Sequence, residues 1–182
     1  MAASDAVILK NHAGLLPVTA PASLLLTGNH PLDNWQAALT QHWPACQRHL
    51  PDTRHPVRLQ TLARREPLVL LSIVLPVLDK PVLPRREREL IEKVASLRQT
   101  ILLLASPAPI AMLPWHENVR TLLWLAPAAS ATEVVTVLAG SATSGTLPFE
   151  LPRHPGNLQR QPDGSFAQRD GIRPAFAKAD FP

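Results

Sequence analysis

A single cysteine, Cys46, rules out an intramolecular disulfide, so packing and hydrogen bonds must hold the fold without one. Long hydrophobic runs are missing as well. The longest, residues 67–78, is interrupted by Pro76 and falls short of the ~20 residues a membrane-spanning helix needs. No basic segment at the N-terminus leads into an apolar core, so no export signal is read, and a cytoplasmic protein without a membrane partner is expected.

No aromatic residue interleaves with the densest basic run, Lys80, Arg85, Arg86, Arg88, Lys93 and Arg98, whereas Asp79, Glu87, Glu89 and Glu92 alternate with it. Phosphate binding needs clustered positive charge and base stacking needs aromatic faces. The run therefore reads as the solvated face of a helix, and nucleic acid is set aside as a partner. A net charge of +4 and the looser group Arg48, Arg54, Arg58, Arg64 and Arg65 keep one further reading open, a basic module for anionic polymers whose affinity would fall steeply with salt.

What the chain does have is a 46% hydrophobic composition over 182 residues, enough for one sizeable core. Its 20 prolines, about twice the usual share, are scattered as punctuation and form no repeat. The run AVIL at residues 6–9 leads into a Gly14 turn and a docked extended segment at Leu15, Leu16 and Pro17. SLLLT (23–27) reads as a buried strand. Pro31 opens a helix whose Leu32, Trp35, Ala38, Leu39 and His42 share a face, until Pro44 stops it.

Residues 57–62 form a strand candidate with Val57 and Leu59 inward. Continuous apolar runs at 68–75 and 100–105 read as strands buried on both faces of a parallel sheet. Between them lies a charged helix with a Leu90, Ile91, Val94 and Leu97 stripe. Strand, helix, strand implies a right-handed parallel crossover. A connector at 107–115 packs one helical turn near the sheet edge, and a strand is expected at 119–126. A helix over 132–139 and a closing strand over 146–151 follow. The expected fold is a three-layer αβα sandwich with a mostly parallel sheet of about five or six strands. Residues 1–152 would form the α/β domain, and residues 153–182 a polar tail lying on the surface or partly disordered.

Motifs that carry chemistry are incomplete. The glycines at 140 and 145 have phosphate-loop spacing, but no lysine follows Gly145, and the loop runs from helix to strand, the reverse of what phosphate binding requires. G-x-S-x-G is absent. His42, Cys46, His49 and His55 suggest a zinc site, yet Pro44 breaks the helix between the first two and no second ligand pair completes the set. His116-Glu117 is an isolated dipeptide of the kind common in surface loops. No carboxylate pair converges at strand ends. No catalytic, metal or cofactor residue is assigned.

Three collinear stretches carry a resemblance. They are 7–11 with Gly14, Leu16 and Pro17; 90–107; and 129–152, the last containing Gly140, Ser144, Gly145, Leu147, Pro148 and Pro152. Together they resemble the C-terminal domain of glycoside hydrolase family 3, with turns nearest in look to its two-domain bacterial β-N-acetylglucosaminidase branch. The resemblance implies structural motif positions at Lys10, Asn11, Gly14, Leu16, Pro17, Gly140, Ser144, Gly145, Leu147, Pro148 and Pro152.

It also implies that the nucleophilic aspartate belongs to an N-terminal (β/α)8 barrel, after which this chain begins. The β-glucosidase-like general acid would be a glutamate in the stretch corresponding to 72–79, where none occurs, and Ala139 replaces the usual phenylalanine. The implied function is a domain that is non-catalytic alone, docking on a barrel or binding carbohydrate. The alternative is a subunit of a split glycosidase, active only with a separately encoded barrel.

Overall fold

The computed structural model describes residues 5–29, 33–163, 166–169 and 174–176. Its main sheet has six strands: β1 (Ala6–Asn11), β2 (Ser23–Gly28), β3 (Gln47–His49), β4 (Val69–Val74), β5 (Thr100–Ala105) and β6 (Thr121–Leu125). They lie in the order β1-β6-β5-β4-β2-β3. All neighbouring pairs are parallel except β1, which runs antiparallel to β6 at one edge.

Burial of both faces explains the unbroken apolar strands. Along β4, Leu70 joins the core under α1 (Asp33–His42) and α4 (Ala131–Leu138), while Leu71 and Ile73 point to the opposite core. That second core is covered by α2 (Pro56–Ala63), by α3 (Arg85–Leu90) and by the π-helical turn Ile91–Ala95 that continues α3. Helices on both faces of a mostly parallel sheet make the expected three-layer sandwich, and β4-α3-β5 is the parallel crossover expected from the sequence.

Two expectations change. Residues 57–62 belong to helix α2. Pro56 sits in its first turn, and Leu59 and Ala63, four apart, are its buried face, whereas Val57 is 53% exposed. The closing strand expected at 146–151 is not a sheet strand. Leu147 and Leu151 are buried and Phe149 packs edge-on against Trp124, but Pro148 has no N–H for a ladder, and among the described residues the only pairing here is a bridge from Leu151 to Phe176.

The tail, expected to lie on the surface or be partly disordered, contains an antiparallel pair, β7 (Leu158–Arg160) with β8 (Phe166–Gln168). The short edge strand β3 was not anticipated. Pro31 and Leu32, expected to open α1, lie outside the described residues, as does Ile172 of the tail.

Candidate functional site

The chain doubles back between β2 and β4. From β2 it passes through α1 to β3 on one side, then returns through α2 to β4 on the other. At such a switch point the loops leaving the carboxyl ends of neighbouring strands diverge, and ligands of open α/β sheets bind there. Gly28 and Asn29 shape this edge. A Cβ on Gly28 would lie 2.0 Å from the Ser72 carbonyl oxygen, so only glycine lets β2 run this close to β4. The Asn29 side chain then clamps Val74 like a further rung of the ladder. Its Oδ1 accepts from Val74 N at 2.9 Å and its Nδ2 donates to Val74 O at 2.9 Å. Nδ2 also reaches Glu87 Oε1 at 3.4 Å.

Beside this clamp, a cleft of about 620 Å³ opens between α1 and α4. Its floor is the ends of the strands, at Ser72, Ala105 and Leu125; Trp35 and Ala38 form one wall and the start of α4 the other. Seven of the sixteen described residues that line it are alanine, which is why two helices packed on one core leave space between their ends. No Asp, Glu, Lys, Arg or His is among the described residues that line it. Ser130 caps α4 by accepting from Glu133 N at 3.2 Å, and the Glu133 carboxylate takes the Asp5 N–H at 2.7 Å, tying the entry of β1 to the same edge.

The motif residues gather elsewhere, along β1 and beneath α4. Past a bulge between Ile8 and Lys10, the Lys10 ammonium donates to the carbonyls of His116, at 2.6 Å, and Val119, at 3.2 Å. Burial lowers its pKa, with Arg120 adding to the effect and Glu117 opposing it. Asn11 and Leu16 exchange two hydrogen bonds across the Gly14 turn, where φ is 64°. At the end of α4, Gly140 N donates to Val137 O and Ser141 N to Thr136 O, the paired bonds of a left-handed helix stop. Pro17 packs on Gly140, and Val18 N donates to the Leu138 carbonyl at 2.7 Å. Ser144 and Gly145 run along the free edge of β1: Ser144 Oγ accepts from Ile8 N at 2.9 Å, and Gly145 N donates to Ala6 O at 2.8 Å. Leu147 enters the core, and Pro152 O accepts from Met112 N at 2.9 Å. Stretches more than a hundred residues apart thus form one seam.

The remaining candidates separate. Among the described residues no three of His, Cys, Asp and Glu converge as metal ligands, and His49 pairs instead with Glu66. Cys46 is buried, and burial, with Glu66 adding and Arg48 opposing, raises its thiol pKa, the wrong direction for a nucleophile. His116 is part-buried, with Nδ1 bonded to Met112 O at 2.7 Å and its ring edge-on to Phe176. With Glu117, Arg153, Leu113 and Ala175 it lines a small cavity of about 140 Å³. The 72–79 stretch exposes Val74 and Val77, and its one carboxylate, Asp79, is not among the described residues that line the cleft. Sequence reasoning missed both the Asn29 clamp and the cleft. Gly28-Asn29 directly after a buried strand was the available signal for the first.

A doubly wound αβα domain with a cleft at its switch edge is therefore the class of protein defined. The family profile described as glycosyl hydrolase family 3 C-terminal domain matches residues 6–179, and the chain belongs to that family. No curated protein matches it. Among solved structures it is similar to a β-glucosidase from Chaetomella raphigera, with TM-score 0.73 and 17% identity over 94% of this chain and 34% of that one. A β-D-glucoside glucohydrolase from Trichoderma reesei gives 0.70 and 17%, over 86% of this chain and 30% of that one. A Listeria innocua β-glucosidase in complex with glucose gives 0.68 and 18%, over 94% and 29%. At these identities the likeness is one of fold, and the chain spans about a third or less of each relative's length. No helix among the described residues is long and apolar enough to cross a membrane.

Proposed function

We propose that this chain is a non-catalytic unit of carbohydrate metabolism, the αβα domain that docks on the (β/α)8 barrel of a family 3 glycosidase and has no turnover of its own. The observation that carries this is the composition of the switch edge. It offers exposed apolar side chains, Val74, Val77 and Val82, beside a cleft lined without any carboxylate among the described residues. Glycoside hydrolysis needs two positioned carboxyl groups, and an exposed valine loop is what a protein partner covers. The relatives' greater length gives such a partner its place. Residues 1–152 then act as the α/β body with 153–182 appended. The seam positions Lys10, Asn11, Gly14, Leu16, Pro17, Gly140, Ser144, Gly145, Leu147, Pro148 and Pro152 hold that body together and take no part in chemistry.

Of the sugars such an assembly would process, β-N-acetylglucosaminides are the finer reading, in a cytoplasmic setting. Assays of the purified chain on aryl β-glucoside and aryl N-acetyl-β-glucosaminide test the proposal, followed by mixing with a separately produced family 3 barrel. No turnover alone and co-elution with the barrel are expected. Turnover by the chain alone that survives rigorous purification overturns the non-catalytic role. Separate elution, unchanged by Val77→Asp, overturns the docking.

A further inference from the structure

The outer face of α2 combines exposed aliphatic side chains with arginines. Leu59 and Ala63 turn inward, which leaves two ridges in solvent, Val57 with Thr61 and Arg58 with Leu62, the members of each four residues apart. With Asp52 and Thr53 of the preceding loop they line a groove of about 340 Å³. Leu50, just before that loop, is exposed as well. Both threonine hydroxyls are engaged by local backbone: Thr61 Oγ1 donates to Val57 O at 3.0 Å, and Thr53 Oγ1 accepts from His55 N at 3.2 Å. What the groove offers a ligand is therefore chiefly aliphatic.

Its charge is one-sided. Arg64 and Arg65 continue the two ridges beyond Thr61 and Leu62, and Arg48 and Arg54 precede Arg58. Among the described residues none of these five meets a carboxylate at ion-pair distance, whereas Arg85 and Arg88 of α3 have Glu89 and Glu92. Glu66 is occupied by His49 and by the Ser23 hydroxyl, which leaves Asp52, in the groove itself, as the one other carboxylate of residues 47–66. A second copy of the chain would set arginines against arginines. A plain polyanion would leave the methyl groups uncovered, and residues 44–66 hold no Phe, Trp or Tyr on which a base could stack. We propose that this groove docks an acidic peptide segment of another protein, which seats a leucine- or phenylalanine-sized side chain between Val57 and Leu62 and sets carboxylates against Arg58, Arg64 and Arg65. Such a site needs both features of its ligand at once, and it involves neither a barrel nor a sugar.

The test is fluorescence polarisation of the full chain with a labelled peptide EDELLFDEE, set beside EDESSSDEE, which keeps the charge, and KKKLLFKKK, which keeps the apolar centre. The first is expected to bind saturably, about tenfold or more tighter than either control, and to retain measurable affinity in about 0.5 M salt, where exposed charges are screened. Val57→Asp and Arg58→Glu, both at exposed positions, are each expected to weaken it by about tenfold or more while thermal unfolding stays unchanged. Arg86→Glu alters the net charge equally from an exposed position on α3 and is expected to change binding by less than about twofold. Asp52→Asn, which removes the carboxylate facing the ligand, is expected to tighten binding several-fold. Equal binding of EDELLFDEE and EDESSSDEE, or tighter binding of heparin or single-stranded DNA at the same high salt, would show a plain polyanion surface and overturn the proposal. So would equal losses from Arg58→Glu and Arg86→Glu, or no saturable binding of EDELLFDEE up to about millimolar peptide. Barrel docking is read through Val77, on a different segment and with a different partner, so a failure of either proposal leaves the other standing.

Discussion

A Cβ built on Gly140 lies 2.8 Å from the Cβ of Pro17, although the two residues belong to opposite ends of the domain. The contact joins the helix stop of α4 to the turn that follows β1. It gives Gly140 two separate reasons to be glycine, a φ of 72° and the lack of room beside Pro17.

Gly140→Ala is accordingly expected to destabilise the chain by about 2–4 kcal/mol, from a left-handed backbone penalty of ~1–2 added to local overpacking. Urea unfolding at neutral pH measures it. Combining the change with Pro17→Ala, which removes the contact and leaves the backbone angle, should recover part of the loss. If the double variant is no better than the sum of the two single ones, the close approach to Pro17 contributes nothing.

Ser144 stands in for a missing strand, because its hydroxyl takes the outward N–H of Ile8 on the free edge of β1. Ser144→Ala should cost about 1 kcal/mol, the usual net worth of such a bond. Its sharper signature is local: the Ile8 amide should exchange its hydrogen faster while amides in β5 keep their protection. Equal acceleration at both places would mean the bond matters only through global stability.

The sequence conveyed the fold where burial dictates composition. β4 and β5 are apolar at nearly every position since both faces are covered. Where local patterns compete, it misled. In 57–62 the inward spacing of Val57 and Leu59 suggested a strand, but Pro56 at a helix start and the four-residue step from Leu59 to Ala63 proved the stronger signal. Alternation at Leu147, Phe149 and Leu151 correctly marked burial and wrongly implied a ladder, since prolines interrupt the donors. The three-residue β3, Gln-Arg-His, has no hydrophobic signature at all. The cleft is built from alanines and small polar residues in separate segments, so it exists only once α1 and α4 are packed.

Asn29 replaces backbone with side chain at the switch edge, satisfying both Val74 N and Val74 O. Asn29→Ala leaves these two groups to solvent and should cost about 1–3 kcal/mol, with the loss concentrated at the end of β4. Asn29→Asp keeps the acceptor and loses the donor, so the Val74 amide should remain protected in hydrogen exchange. Gly28→Ala is expected to be worse than either. Its methyl would sit on the Ser72 carbonyl, and two backbones must part to admit it. Folded Gly28→Ala protein of wild-type stability would refute the close approach of β2 to β4.

His116 should make stability depend on pH. Burial lowers its pKa below the ordinary 6.5, and the nearby Lys10 and Arg153 charges push the same way; the Met112 carbonyl and Glu117 oppose them. The groups facing it thus include two cations and one carboxylate, besides the Phe176 ring. A histidine that is harder to protonate when folded lets the unfolded chain bind more protons at mildly acidic pH, and stability then falls as pH falls. The contribution is fully present above 6.5 and is lost between there and the lower folded pKa, below which it changes no further. Replacing the ring by a side chain that does not titrate, His116→Gln, should flatten this part of the profile, whatever it does to stability at neutral pH. Urea midpoints measured in steps from about pH 7.5 to pH 4.5 for both proteins give the comparison. An unchanged difference between the two across that interval would show that His116 takes up its proton equally easily in the folded and unfolded chains.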